Sequence, residues 1–205
     1  MKFAIFLTLS LLAAPAAFAQ EGVSDLKLEK QSEDVYSEYK VRLVPEIGMS
    51  SMGYTGKMAG DNGQGLSAGL TTEIGETKAR LLEAGVLLVN TTSTAAIGPH
   101  GTNETISTSQ LGIPLMAKLR FIDTKSQSWY FKVGAITTFQ TNSNQANTNS
   151  FDVLGALGLG ARVPLDRKMD ILIEATYNRG IMNAFLDESG VQEGVLVFTG
   201  ISIAL

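Results

Sequence analysis

The chain has no cysteine, a single histidine and a single tryptophan. Without cysteine the fold uses neither a disulfide nor a thiolate metal site, although an exported chain is free to form disulfides. Past the first residues, no segment holds the ~18 consecutive apolar residues that a membrane helix needs. Helix-period patterning is scarce. No tract is basic either: 16 Lys and Arg stand against 20 Asp and Glu, for a net charge of −4. That balance argues against nucleic acid as a partner. The lone His100 lies between Pro99 and Gly101 in a loop-like stretch. Hydrolysis by a serine needs a nearby base, usually histidine, and no other stretch of this chain offers one. Asp61-Asn62-Gly63 lacks the regular carboxylates of a calcium loop and reads as a hairpin tip. Gly155, Gly158 and Gly160 lack the spacing and following helix of a dinucleotide site. The expectation is no catalytic residue, no metal site and no cofactor.

The first segment reads as an export signal over residues 1–19. Lys2 supplies the positive start, Phe3 to Leu12 the apolar core, and Ala17-Phe18-Ala19 a small-x-small cleavage site before Gln20. A membrane anchor is the alternative, and the short apolar core argues against it. Residues 20–38 are acidic: Glu21, Asp25, Glu29, Glu33, Asp34 and Glu38 oppose Lys27 and Lys30. Such composition suits a solvated periplasmic leader. A short helix that docks a partner is the other reading. Residues 39–205 then form one domain.

That domain is a series of strict alternations. Side chains of a strand point to opposite faces with period 2. Val41, Leu43, Pro45, Ile47 and Met49 share a face against Lys40, Arg42, Val44, Glu46 and Ser50. Leu66, Ala68, Leu70, Thr72 and Ile74 oppose Ser67, Thr71 and Glu73. The third run is apolar on both sides, and the face carrying Glu83 is assigned inward. Leu111, Ile113, Leu115, Ala117, Leu119 and Phe121 oppose Gln110, Pro114, Met116, Lys118 and Arg120. Trp129, Phe131, Val133, Ala135 and Phe139 oppose Tyr130, Lys132, Thr138 and Gln140. Phe151, Val153, Leu157, Leu159, Ala161 and Val163 oppose Asp152, Ala156 and Arg162. Met169, Ile171, Ile173, Ala175 and Tyr177 oppose Asp170, Glu174, Thr176 and Asn178. Val195, Val197, Ile201, Ile203 and Leu205 oppose Gly194, Gly200, Ser202 and Ala204. Most runs hold about 10 to 13 residues, enough for a tilted strand to cross a bilayer.

Connections come in two sizes. Gly75 to Lys78, Ile122 to Ser128 and Pro164 to Lys168 are tight. Gly53 to Gln64, Thr92 to Ser107, Thr141 to Ser150 and Ile181 to Glu193 read as long loops. Short turns at one end and long loops at the other are the habit of transmembrane barrels. Phe121, Trp129 and Phe131 lie toward the short-turn end, and Tyr54, Phe139, Phe151 and Tyr177 toward the other. Two aromatic belts fit two membrane interfaces. Pro45 and Pro114 fall inside strands, where a bulge or strand end is expected.

These patterns predict an all-β fold: an eight-stranded antiparallel up-and-down transmembrane β-barrel. A soluble barrel that carries an apolar ligand inverts the faces. The near-absence of charge on the apolar faces favours lipid outside. The polar faces balance: Lys40, Arg42, Lys118, Arg120, Lys132 and Arg162 against Glu46, Glu73, Glu83, Asp152, Asp170 and Glu174. Unpaired charges are costly in a narrow interior. Glu46, Glu83 and Glu174 are expected to meet Lys118, Lys132 and Arg42 across the lumen and plug it. An ion path along the same groups is the alternative.

The stretch Gln110 to Phe121, QLGIPLMAKLRF, resembles the "IPLLAKYRF"-like strand of the bacterial outer-membrane β-barrel domain family, which includes OmpA-, OmpX- and PorT-like barrels. Trp129 to Ala135 looks like that family's next strand. Gly158 to Arg162 and Asp170 to Gly180 are similar to its late hairpin, and the likeness spans about Tyr39 to Leu205. Gly200, Ile203 and Leu205 match the signal that the barrel-insertion machinery reads on final strands. Leu205 stands where an aromatic is usual, and Phe198 where a polar residue is. The resemblance implies a monomer in the outer membrane, in contact with lipid and lipopolysaccharide. Three roles remain open at this point: a structural or surface-contact barrel, a small pore, and a soluble apolar-ligand carrier.

Overall fold

A computed structural model of the protein describes residues 41–205, except 57–58, 78–79, 98–101, 125, 145–148, 183 and 185–189. The expected signal peptide, the acidic leader, Lys40 and His100 lie outside the described residues. The described chain forms β1 (Val41–Gly56), β2 (Gly63–Thr77), β3 (Arg80–Ile97), β4 (Thr102–Asp123), β5 (Ser128–Ser143), β6 (Phe151–Pro164), β7 (Met169–Gly180) and β8 (Gly190–Ala204). Each strand pairs antiparallel with the next. β8 returns to β1 through pairs from Arg42↔Ala204 to Gly56↔Gly190, which closes the ring. Closure leaves no edge whose backbone groups lack partners, a condition for crossing a bilayer.

The alternation resolves which face is which. Ile47, Leu66 and Leu115 are each about two-thirds exposed on the outer wall, at 66%, 69% and 65%. Arg42, Glu73, Lys118, Arg162 and Glu174 are buried inside. The ambiguous third strand places Glu83 inward and Leu82, Val86 and Leu88 outward. An apolar wall facing out with ions enclosed suits hydrocarbon surroundings and not water.

Local chemistry explains the short turns. Asp166 Oδ1 accepts the backbone N–H groups of Lys168 and Met169, both at 2.7 Å, and so folds the chain from β6 into β7. Thr124 Oγ1 donates to the Gln127 carbonyl at 2.8 Å between β4 and β5.

The structure corrects three expectations. The first concerns proline. Pro45 stays opposite Leu70 of β2, while toward β8 the ladder skips Val44 and Pro45 and resumes at Glu46↔Gly200 in unchanged register. Pro114 stays opposite Ile136 of β5, and toward β3 the ladder skips Ile113 and Pro114. Neither proline makes a bulge or a strand end. Its fixed φ lies within the broad extended region, and its missing N–H affects one neighbour only. The register shifts fall elsewhere, between Gly75 and Thr77, Ser109 and Gln110, and Arg120 and Ile122.

The second concerns the long loops. Within Thr92 to Ser107 the described residues form a paired ribbon, with Thr92↔Ser107 through Ile97↔Thr102 in register. β4 consequently runs for 22 residues, of which roughly 9 to 11 suffice to cross the membrane. Threonine is β-branched and fits a pleated surface as well as a loop. Neighbours stitch the ribbon down. Asn144 Nδ2 donates to the Thr105 carbonyl at 2.9 Å, and Asp61 N–H donates to Thr94 Oγ1 at 2.8 Å. The third concerns Tyr54, which belongs to no outer belt. It points inward and is buried with Ala95 and Ile106. Four of the other belt aromatics meet in pairs on the wall: Phe121 with Phe131 at 4.5 Å and Phe139 with Phe151 at 5.5 Å between ring centres.

Candidate functional site

The interior is layered along the barrel. Nearest the short turns lies an ionic tier. Lys118 Nζ is 2.7 Å from Glu73 Oε1 and 2.5 Å from Glu83 Oε2, and it also pairs with Glu174 Oε1. Lys132 Nζ is 2.6 Å from Glu83 Oε1 and 2.5 Å from Glu174 Oε2. Arg162 Nη2 reaches Glu73 Oε2 at 2.5 Å, and its Nη1 lies 3.6 Å from Asp170 Oδ2. Arg42 pairs with Asp170 and donates to Ser202 Oγ at 3.1 Å. The cations Arg42, Lys118, Lys132 and Arg162 are thus matched in number by Glu73, Glu83, Asp170 and Glu174. Buried charges are tolerated when paired and hydrogen-bonded in this way, and removing one partner strands the rest.

Two members of this tier carry no charge, and charge counting on the sequence overlooked them. The Tyr130 hydroxyl donates to Glu174 Oε1 at 2.5 Å, and its ring centre lies 5.1 Å from Lys118 Nζ. Ser202 joins through Arg42. Parity was the available signal: both share the inward face with the ions of their strands. Gly160 makes room for the tyrosine, since a Cβ there would lie 2.4 Å from the phenol ring.

The pairing differs from the expected one at three residues. Arg42 meets Asp170 and not a glutamate, because both lie at the short-turn ends of their strands. Arg120 bonds Asp123 at 3.0 Å beside the β4–β5 turn. Glu46 is buried, yet it forms no ion pair among the described residues; Gly69 and Gly200 flank it across the ladder. Glu73, Glu83 and Glu174 bring carboxylate oxygens within 4.8 Å of one another, a spacing suited to a metal ion. Lys118 Nζ contacts all three, so the chain supplies its own cation there.

Beyond the ions lies an apolar tier of Met52, Leu87, Val89, Met116, Ile136, Leu154, Ala156, Leu196 and Phe198. The alternation puts Leu87, Met116 and Ala156 on the inward face, but an interior of ions, glycine and small residues is what it leads one to expect, not an apolar layer. Its members share parity with the ions, and Leu87, Met116 and Leu196 occur where both faces of a strand are apolar. The unusual Phe198 belongs here. The long-hairpin end is polar again. Gln110 Nε2 donates to Gln192 Oε1 at 3.0 Å, and Ser50 Oγ lies 3.2 Å from Thr91 Oγ1. Of the final-strand residues singled out in the sequence, Ile203 sits opposite Met169 and Gly200 opposite Leu172, while the Leu205 N–H donates to the Val41 carbonyl at 3.2 Å.

Among solved structures, the chain is similar to the outer membrane protein OprG from Pseudomonas aeruginosa, at 14% identity and a TM-score of 0.55, covering 82% of this chain and 96% of that one. It is also similar to Neisserial surface protein A, at 13% identity and a TM-score of 0.53, covering 81% and 97% respectively. At these identities the likeness is one of fold. Among curated proteins, none matches this chain. The model of the outer membrane protein beta-barrel domain matches residues 4–197. The soluble-carrier reading is thereby overturned, as the outward apolar wall already required. A match of that length makes the chain a member of the outer membrane protein beta-barrel domain family, and its place is the cell outer membrane.

Proposed function

We propose that the protein is a non-enzymatic, monomeric barrel with a plugged lumen, serving envelope integrity or surface contact through its long hairpins. The observation that supports this reading is the stack of an ion-paired tier and an apolar tier across one narrow interior. Side chains fill an eight-stranded barrel. An ion entering this one would meet carboxylates already neutralised by Lys118, Lys132 and Arg162. It would then meet a layer with nothing to solvate it.

The surface-contact arm rests on the β3–β4 ribbon, which extends past the length a membrane crossing uses. Planar-bilayer recording of the refolded barrel tests the plug. The expected record is a flat baseline, and steady ion-selective steps would replace the plug with a small pore. Binding of cells or purified barrel to candidate surfaces, with and without residues 94–105, tests the contact arm. Equal binding by both forms would discard it.

A further inference from the structure

The outer wall of β7 and β8 is free of charge until it reaches the long-hairpin end. Among the described residues it carries charge only at Arg179 and Glu193, which stand opposite each other across the two strands. Tyr177 of the aromatic belt lies one outward position nearer the hydrocarbon. Its hydroxyl donates to Glu193 Oε2 at 3.0 Å and so holds that carboxylate on the β8 side. Arg179 Nε lies 3.8 Å from the same oxygen, beyond hydrogen-bond reach, and the arginine side chain is 64% exposed. An exposed pair at that distance is weak and leaves the guanidinium fork open to a better acceptor. On the β6 side Arg179 stands opposite Gly155, where an added Cβ would meet nothing nearer than the Arg179 carbonyl oxygen at 3.8 Å. The wall is thus notched beside the arginine, with the exposed Leu157 on the membrane side of the notch. Ile181 follows further out. Its N–H donates to the Val153 carbonyl at 2.9 Å, and the residue is 71% exposed.

We propose that this patch binds the phosphate of an acylated, phosphorylated saccharide of the outer leaflet, with the Arg179 guanidinium as the donor. Three features select that occupant. The planar fork of an arginine matches two phosphate oxygens at once. The notch at Gly155 opens toward Leu157 and so lets an acyl chain lie against the wall directly below the bound phosphate. The order of side chains going outward is aromatic, cation, aliphatic: Tyr177, Arg179, Ile181. A glycerophospholipid places a small headgroup and then water beyond its phosphate, where an exposed isoleucine finds no apolar partner. A saccharide that carries the phosphate continues outward and offers its C–H faces to Ile181. The order therefore favours a glycolipid over a phospholipid. The inference rests on the chain's place in the outer membrane, and it holds whether or not the lumen conducts.

The test is a titration of the refolded full chain in phosphatidylcholine nanodiscs, read on the Arg179 Nε–H and Gly155 amide resonances. The probes are bisphosphorylated lipid A, the same lipid stripped of its phosphates, and phosphatidylglycerol. Saturable shifts with lipid A, absent with the stripped lipid and weakened at least fivefold in Arg179→Gln as read on Gly155, are the expected result. Equal binding of the stripped lipid overturns the phosphate contact, and unchanged binding in Arg179→Gln overturns the role of the arginine. Phosphatidylglycerol that saturates as readily as lipid A overturns the choice of a glycolipid. No saturation by lipid A overturns the proposal outright. The comparison of the three lipids on the unaltered protein decides the matter even if Arg179→Gln fails to fold.

Discussion

Lys118 is the residue on which the ionic tier turns, since its Nζ contacts three carboxylates at once. Lys118→Met leaves those carboxylates with Lys132 and Arg162 alone. Breaking a buried ion pair from one side costs about 3–5 kcal/mol. Urea titration of the refolded variant, followed by Trp129 fluorescence, should show a loss of that order. A loss below about 1 kcal/mol would mean that the tier relaxes around the gap. Gly160 is a second sensitive point. Gly160→Ala drives a methyl into the Tyr130 ring, and overpacking of that kind costs about 1–3 kcal/mol. The penalty should vanish in a Tyr130→Ala background, and persistence there would trace it to the backbone instead. On the outer wall, Leu115 lies midway between Leu119, which pairs with Phe131, and Leu111, which pairs with Phe139. Leu115→Arg places a charge near mid-bilayer and should cost about 2–4 kcal/mol. Unaltered stability in lipid would contradict the membrane placement of this face.

At the scale of elements, parity did most of the work in the sequence. Even-numbered residues of β1 face inward and odd ones outward from Val41 to Ile47. That rule places Tyr54 inside, although an aromatic near a strand end equally fits an interface belt. The same rule continues through Thr91, Ser93 and Ala95, all buried. The stretch nevertheless read as a loop, because polar residues occupy both faces once a strand leaves the hydrocarbon. Hydropathy contrast disappears there while pairing persists. Deleting residues 96–103 should therefore leave the barrel intact. The ladder runs without a gap from Ala95↔Glu104 to Leu87↔Gly112, and the buried Ala95 and Ile106 are retained. Heat-modifiable migration on gels would reveal this, and loss of the compact band would show the ribbon to be needed for folding.

At the scale of the molecule, the composition of the lumen was legible and its pairing was not. Balanced charge on one face of the strands pointed to mutual neutralisation. Which carboxylate meets which cation depends on strand tilt and stagger, and period 2 carries neither. Arg42 finding Asp170 is a consequence of that stagger. The apolar tier was hidden for a different reason. Leu87, Leu154 and Leu196 lie in runs where outward neighbours are equally apolar, so no contrast marks them as interior.

Every one of the eight strands gives the ionic tier at least one side chain: Arg42, Glu73, Glu83, Lys118, Tyr130, Arg162, Glu174 and Ser202 follow each other round the ring in chain order. Shifting any strand by a single pair along its neighbour would turn one of these groups toward lipid and orphan its counterpart. A sheet not yet closed between β8 and β1 would hold Arg42 apart from Ser202. The tier thus works like a combination lock that engages only on the finished cylinder, rewarding correct alignment all at once instead of strand by strand.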